Sequence, residues 1–189
     1  EQQVKEQYAF TARPRFETGQ AFTPAQRGTV MHQFLQFMDF DCAEHDIQAE
    51  IERMVAQRFF TPQEAEILDP QALSRFFDTQ LYRRMKASGF SWREHRFLVT
   101  LDYGLCTGNE EDAGREVVVQ GVCDYVFEED GELVIVDYKT DRIHRMEELA
   151  ERYGRQLLIY RKAMEKMTGK SVKECILYSI PKGEELSLS

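Results

Sequence analysis

Hydrophobic and polar positions alternate most regularly between Val117 and Lys139. Two runs rich in β-branched residues, Val117 to Phe127 and Leu133 to Lys139, flank Glu128-Glu129-Asp130-Gly131. An Asp-Gly pair between two such runs predicts a β-hairpin. Side chains on a strand point alternately to its two faces. The pattern therefore places Val118, Gln120, Val122 and Asp124 on one face of the first strand. On the second strand Leu133, Ile135, Asp137 and Lys139 share a face, and Val134, Val136 and Tyr138 share the other. Asp137 and Lys139 are then neighbours at the end of a run apolar enough to be buried. Gly121, with no side chain, suits a close approach by backbone, helix or ligand.

On either side of the hairpin the period is mostly helical. Thr23-Pro24 predicts an N-cap and first helical residue. The helix runs to about Phe40, with Val30, Met31, Phe34, Leu35 and Met38 as its buried stripe and Gly28, Thr29 and His32 beside it. Asp46 to Phe60 reads as a second helix. Further starts fall at the capping box Thr61-Pro62-Gln63-Glu64, at Asp69-Pro70 and at Thr79. Together, residues 46–88 read as a helical insertion. From Phe90 to about Tyr103 the period returns to two, so Glu94 sits on a strand. Thr107 to Gly114 reads as an acidic loop. Met146, Leu149, Tyr153, Leu157, Tyr160 and Met164 trace one face of a long helix that Gly169 ends. Val172 to Ile180 is a last strand, halted by Pro181. The expectation is an α/β fold: a mixed sheet of about four strands flanked by helices at 24–40 and 146–167. Residues 1–23, polar with isolated aromatics, read as a linker or strap before a domain over 24–189.

Composition narrows the function. A chain of 189 residues, 42% hydrophobic and 30% charged, is enough for one domain with a real core. Its net charge of -9 argues against a self-sufficient nucleic-acid clamp, which needs a basic surface. Any DNA it acts on is expected to be delivered by something else. No apolar run is long enough to span a membrane, and no signal peptide is visible. The polar start without methionine and the stop at Ser189 read as a piece of a larger protein. Cys42, Cys106, Cys123 and Cys175 are scattered without a C-x-x-C, which fits reduced thiols in a cytosolic protein better than a metal or iron–sulfur site. Two aspartates and a lysine on adjacent strands are the minimal apparatus for metal-assisted phosphodiester cleavage.

Five segments occur in order: R-G-T-V-M-H (27–32), the strand with Glu94, Q-G-V-C-D (120–124), V-D-Y-K-T-D (136–141) and Q-L-L-I-Y (156–160). Together they resemble the RecB-type nuclease family of the restriction-endonuclease-like PD-(D/E)XK superfold, nearest its AddA-type branch. The resemblance implies His32, Asp124 and Asp137 as side-chain metal ligands and the backbone carbonyl of Tyr138 as a further one. It implies Lys139 as the catalytic lysine, with Gln156 and Tyr160 near DNA and the active site. Glu94 matches an acidic position of unsettled role. Magnesium is the implied cofactor, with manganese an expected substitute because histidine is a softer ligand. Relatives of the AddB type carry a four-cysteine iron–sulfur staple that this sequence lacks. The implied activity is a DNA exonuclease processing double-strand-break ends in the bacterial cytoplasm. The implied partners are single strands of DNA, an AddB-type subunit, and a helicase region of the same parent chain. The alternatives are a catalytically silent DNA-binding or docking module and a stand-alone nuclease. The absence of a Walker A motif puts any motor outside these 189 residues.

Overall fold

A computed structural model describes residues 22–188, so all but the last two residues of the expected 1–23 strap lie outside the described residues. The Asp-Gly hairpin forms as its sequence dictates. β2 (Glu116–Glu129) and β3 (Glu132–Lys139) pair antiparallel around Asp130 and Gly131, whose φ angles of 56° and 85° are the left-handed pair that a tight hairpin turn needs. β1 (Ser91–Asp102) joins the outer side of β2, antiparallel. β3 pairs on its other side with β4 (Val172–Ser179), in parallel, after a crossover through the long helix. A fifth strand, β5 (Glu184–Leu188), adds antiparallel to β4, giving the order β1-β2-β3-β4-β5. The expectation of about four strands falls short here. Pro181 does stop β4, but Gly183 at φ 69° turns the chain back instead of ending the sheet.

Helices cover both faces of the sheet. On one lie α1 (Pro24–Phe37), α2 (Phe40–His45), α3 (Ile47–Ala56), α4 (Pro62–Ala65), α5 (Pro70–Phe77) and α6 (Gln80–Ala87). Their side chains Phe34, Met54, Phe76, Leu81 and Tyr82 pack with Tyr125, Phe127, Val134, Val136, Tyr138 and Tyr178 in one core. Burying each large side chain stabilises by about 1.5–3 kcal/mol. Thr23 is the N-cap of α1 as predicted, and with Gln26 it also closes a capping box. The helix stops before Phe40, because the Asp39 carboxylate accepts the Cys42 N–H at 3.0 Å and so starts a new helix. On the opposite face the long helix, in chain order after α7 (Tyr103–Thr107), is α8 (Glu147–Thr168), ended by Gly169 at φ 71°. Its Leu149, Leu157 and Met164 pack with Leu133, Ile135, Leu177 and Cys123. β3 is therefore buried on both faces. Among the described residues no helix is long and apolar enough to cross a membrane.

The expected acidic loop, Thr107 to Gly114, follows the short α7 and carries a 3-10 turn at Glu110–Asp112. Asp102 organises it, taking the Leu105 N–H on one oxygen and the Gly114 N–H, at 2.6 Å, on the other.

Gly121 has the close neighbour expected of it, and that neighbour is a ring. A Cβ there would come within 2.4 Å of Phe97, its cross-strand partner. Phe97 in turn packs edge-on against Tyr160, with ring centroids 5.3 Å apart. Gly121→Ala is expected to lower stability by about 1–3 kcal/mol, the usual result of overfilling a packed core. Denaturant melts of the two proteins check this; an unchanged midpoint would mean that Phe97 yields freely.

Candidate active site

In β1 and β2 the strand alternation holds except at one level, and the site lies at that level. In β2, Val119, Gly121 and Cys123 face α8, but Tyr125 and Phe127, of the same parity, face α1–α6. The switch falls at Asp124. In β1, Trp92 faces α8 while Arg93 stacks on Phe40 of α2 at 4.0 Å. Beyond Glu94 the odd residues Phe97 and Leu101 face α8. Glu94 has φ 49°, in the left-handed region that non-glycine residues seldom adopt. The ladder pairs every residue from Ser91 to Asp102 with β2 except Glu94, the residue opposite Asp124. The expected face shared by Val118, Gln120, Val122 and Asp124 points away from α8, and at Asp124 it meets His32 of α1. A conformation of this kind costs about 1–3 kcal/mol and persists where surrounding structure enforces it, often at functional sites.

β2 and β3 also part at this level. Their ladder ends at Tyr125 opposite Val136, and Asp137, Tyr138 and Lys139 pair only with β4. The Tyr138 N–H, left without a strand partner, donates to Asp124 Oδ2 at 2.8 Å. The N–H and C=O of one strand residue point to the same side. The Tyr138 carbonyl is thus directed into the gap between β2 and β3, while the next carbonyl, that of Lys139, accepts from Ile180 on the β4 side.

The side chains predicted from sequence converge on this gap. His32 comes from α1, its Nδ1 3.3 Å from Asp124 Oδ1. Lys139 Nζ lies 2.6 Å from Asp137 Oδ2 and 3.8 Å from the centre of the Tyr153 ring. The Lys139 ammonium is thus the partner of the buried Asp137 Oδ2. From α8, Gln156 Nε2 donates to the Tyr160 hydroxyl at 2.7 Å, and Tyr160 lies within the field of both aspartates. His32, Glu94 and Asp124 each offer one ligand atom within 4.8 Å of the others, a space the size of a cation site. Asp137 is outside that trio. Two residues reach the site without a functional signal of their own in the sequence. Tyr153, which covers Lys139, reads only as part of the apolar stripe; it stands one turn before Gln156, spacing that places both on one face. Its hydroxyl donates to the second, Asp141, at 3.1 Å. Of the arginines on this side, Arg152 is engaged with Asp141 and Glu148.

Crowding of like charge sets the electrostatics. Burial, then the charge of Asp124, pushes the Glu94 carboxyl up to about 7. Burial and Asp124 also push Asp137 up, against the pull of Lys139. Burial draws His32 down, but Asp124, Glu94 and Asp137 together outweigh it and raise the imidazole above 6.5. All three folded-state values thus exceed the unfolded ones. The native protein holds extra protons between the ordinary carboxylate range and just above neutrality, so its stability falls as pH rises through that window. Thermal melts in EDTA from about pH 5 to about pH 8 should show a falling Tm, and Glu94→Gln should flatten the slope. A Tm that rises over that range would contradict this reading of the site.

The donor set suits a hard divalent cation: three carboxylates, a backbone carbonyl and one imidazole, three of these side chains with ligand atoms within 4.8 Å of one another. A family profile described as the PD-(D/E)XK nuclease superfamily matches residues 5–186. The chain belongs to that superfamily. Relatives of this PD-(D/E)XK domain share one description, that of an ATP-dependent helicase/nuclease subunit. The protein so described from Geobacillus kaustophilus is 38% identical over 184 residues, covering 91% of this chain and 15% of its own length. The one from Acetivibrio thermocellus is 39% identical over 172 residues, covering 88% and 14%. That from Clostridium kluyveri is 33% identical over 186 residues, covering 95% and 15%. The chain therefore spans about 15% of the length of the relatives it matches. The PD-(D/E)XK assignment agrees with the expected α/β class and with the mixed sheet flanked by helices.

Proposed function

We propose that this PD-(D/E)XK domain is the magnesium-dependent DNA exonuclease of a helicase–nuclease that processes double-strand-break ends in the bacterial cytoplasm. The observation that carries the reading is the buried Asp137–Lys139 pair beside Asp124, at the level where β2 and β3 part. The relatives' shared description supports the link to a helicase. Asp124, Asp137 and the Tyr138 carbonyl would hold the cation, with His32 from α1. When bound, a divalent cation lowers the pKa of water and offsets charge on the phosphate. The remaining work falls to the chain itself. Lys139 orients the attacking water and places positive charge by the scissile phosphate. Tyr153 walls off Lys139 from one side and keeps its ammonium aimed along β3. Gln156 and Tyr160, hydrogen-bonded to one another, present a polar edge of α8 to the substrate. Manganese would substitute, since His32 tolerates a softer ion.

The net charge of -9 gives this domain no basic clamp of its own, so the strand is delivered by the helicase region of the parent chain, with an AddB-type subunit completing the complex. A catalytically silent module of the same fold is disfavoured by the retained lysine and carboxylates. The test is cleavage of single-stranded DNA by the parent helicase–nuclease, in magnesium and then in EDTA. Loss in EDTA and recovery on adding magnesium support the reading; cleavage undiminished in EDTA overturns it.

A further inference from the structure

The orientation of Asp124 divides the site in two. Its Oδ2 faces β3, where it takes the Tyr138 N–H at 2.8 Å. Its Oδ1 faces the other way, towards His32 at 3.3 Å. Glu94, whose backbone is left-handed, brings a carboxylate oxygen within 4.8 Å of a His32 nitrogen and an Asp124 oxygen. Its half-buried carboxylate feels the charges of Asp124, His32 and exposed Arg96. On the β3 side Lys139 answers Asp137, its Nζ 2.6 Å from Oδ2. Negative charge is thus crowded on both sides of Asp124, and Lys139 sits on only one of them. The ligand atoms of His32, Glu94 and Asp124 lie within 4.8 Å of each other, and those of Asp137 fall outside this set.

We propose that Glu94 is a ligand of a divalent cation, held with His32 and the Oδ1 side of Asp124 in a seat that does not require Asp137. The proposal rests on the metal-dependent nuclease reading and assigns Glu94 the role that the sequence leaves unsettled. The chemistry fits a hard or borderline ion: two carboxylate oxygens and one imidazole nitrogen supply three positions and leave the rest for water or a phosphate oxygen. The strained Glu94 backbone gives the carboxylate a direction that regular alternation along β1 would deny it. Asp124 then serves two neighbouring seats through its two oxygens.

Manganese binding to the protein, read from the electron paramagnetic resonance signal of free Mn²⁺, tests this without any assay of activity. Asp137→Asn is expected to keep one bound ion. Glu94→Gln in the Asp137→Asn background is expected to weaken that ion by more than about tenfold, since changes even beyond the ligand shell cost that much. Asp137→Asn binding no ion, or the double variant binding as Asp137→Asn does, would overturn the proposal. Failure of the broader reading looks different: the unaltered protein would bind no Mn²⁺ at all. Should the double variant not fold, Glu94→Asp with Asp137→Asn, which keeps a carboxylate but draws it back by one methylene, addresses the same seat, with the same expected loss and the same overturning result.

Discussion

Alanine at Lys139 is expected to slow magnesium-dependent cleavage by about 10²–10⁴-fold, the range for removing a positioned proton-transfer group or a charge that meets the transition state. The loss should fall on kcat, because the ammonium acts on charge that grows during the reaction. Folding should survive. Lys139 is the last residue of β3, and its partner Asp137 is already pushed towards its neutral form by burial and Asp124. Without the lysine, Asp137 takes up its proton more readily, so no unanswered buried charge remains. The Tyr153 ring loses its cation, worth about 0.5–2 kcal/mol. Single-turnover rates with the enzyme in excess over DNA, set beside thermal melts, separate the two effects. A rate within about threefold of the unaltered protein would remove Lys139 from the mechanism, given the tenfold-or-more loss a transition-state charge implies. It would then be a structural counterion to Asp137.

The hairpin is legible because its signals are local. Asp130-Gly131 fixes the turn, and the period of two fixes which face each residue of β3 presents. Asp137 and Lys139 follow directly, as do the caps at Thr23, Thr61 and Thr79. What the sequence hides depends on partners far along the chain. Nothing in Trp92-Arg93-Glu94-His95 says that Glu94 turns left-handed; that follows from its place opposite Asp124, where the strand ladder lapses. The switch of faces at Asp124 is hidden for the same reason, since a regular strand would carry its alternation straight through. Asp102 looks like an ordinary strand end, yet it carries two backbone hydrogen bonds of the turn after β1. The order of the motifs brings His32 to the site; periodicity alone places it only beside a buried stripe. The resemblance singles out Glu94 without giving it a role, and its place in a cation-sized trio comes only from the folded chain.

Two substitutions at Asp124 should give different results, and the contrast separates its structural from its chemical duty. Asp124→Ala removes the acceptor of the Tyr138 N–H, in a part of β3 that has no β2 partner to replace it. A buried donor left unsatisfied costs about 1–3 kcal/mol. For a domain of about this size that is a fall of roughly 2–12 °C in Tm. Asp124→Asn keeps a carbonyl oxygen for the same N–H and removes only the charge. It relieves the repulsion that raises Glu94 and Asp137, so its Tm in EDTA should match or exceed that of the unaltered protein. Both variants should lose cleavage by at least about 10²-fold, because both lose an anionic cation ligand and neither retains the charge that the site is built to neutralise. Adding magnesium should raise the Tm of the unaltered protein and leave both variants nearly unmoved, since a ligand stabilises only the state that binds it. If Asp124→Asn instead cleaves DNA normally, the anion at this position is dispensable. Asp124 would then be a strand-end residue whose task is to hold the Tyr138 N–H, and the cation would have to be sought around Asp137 alone.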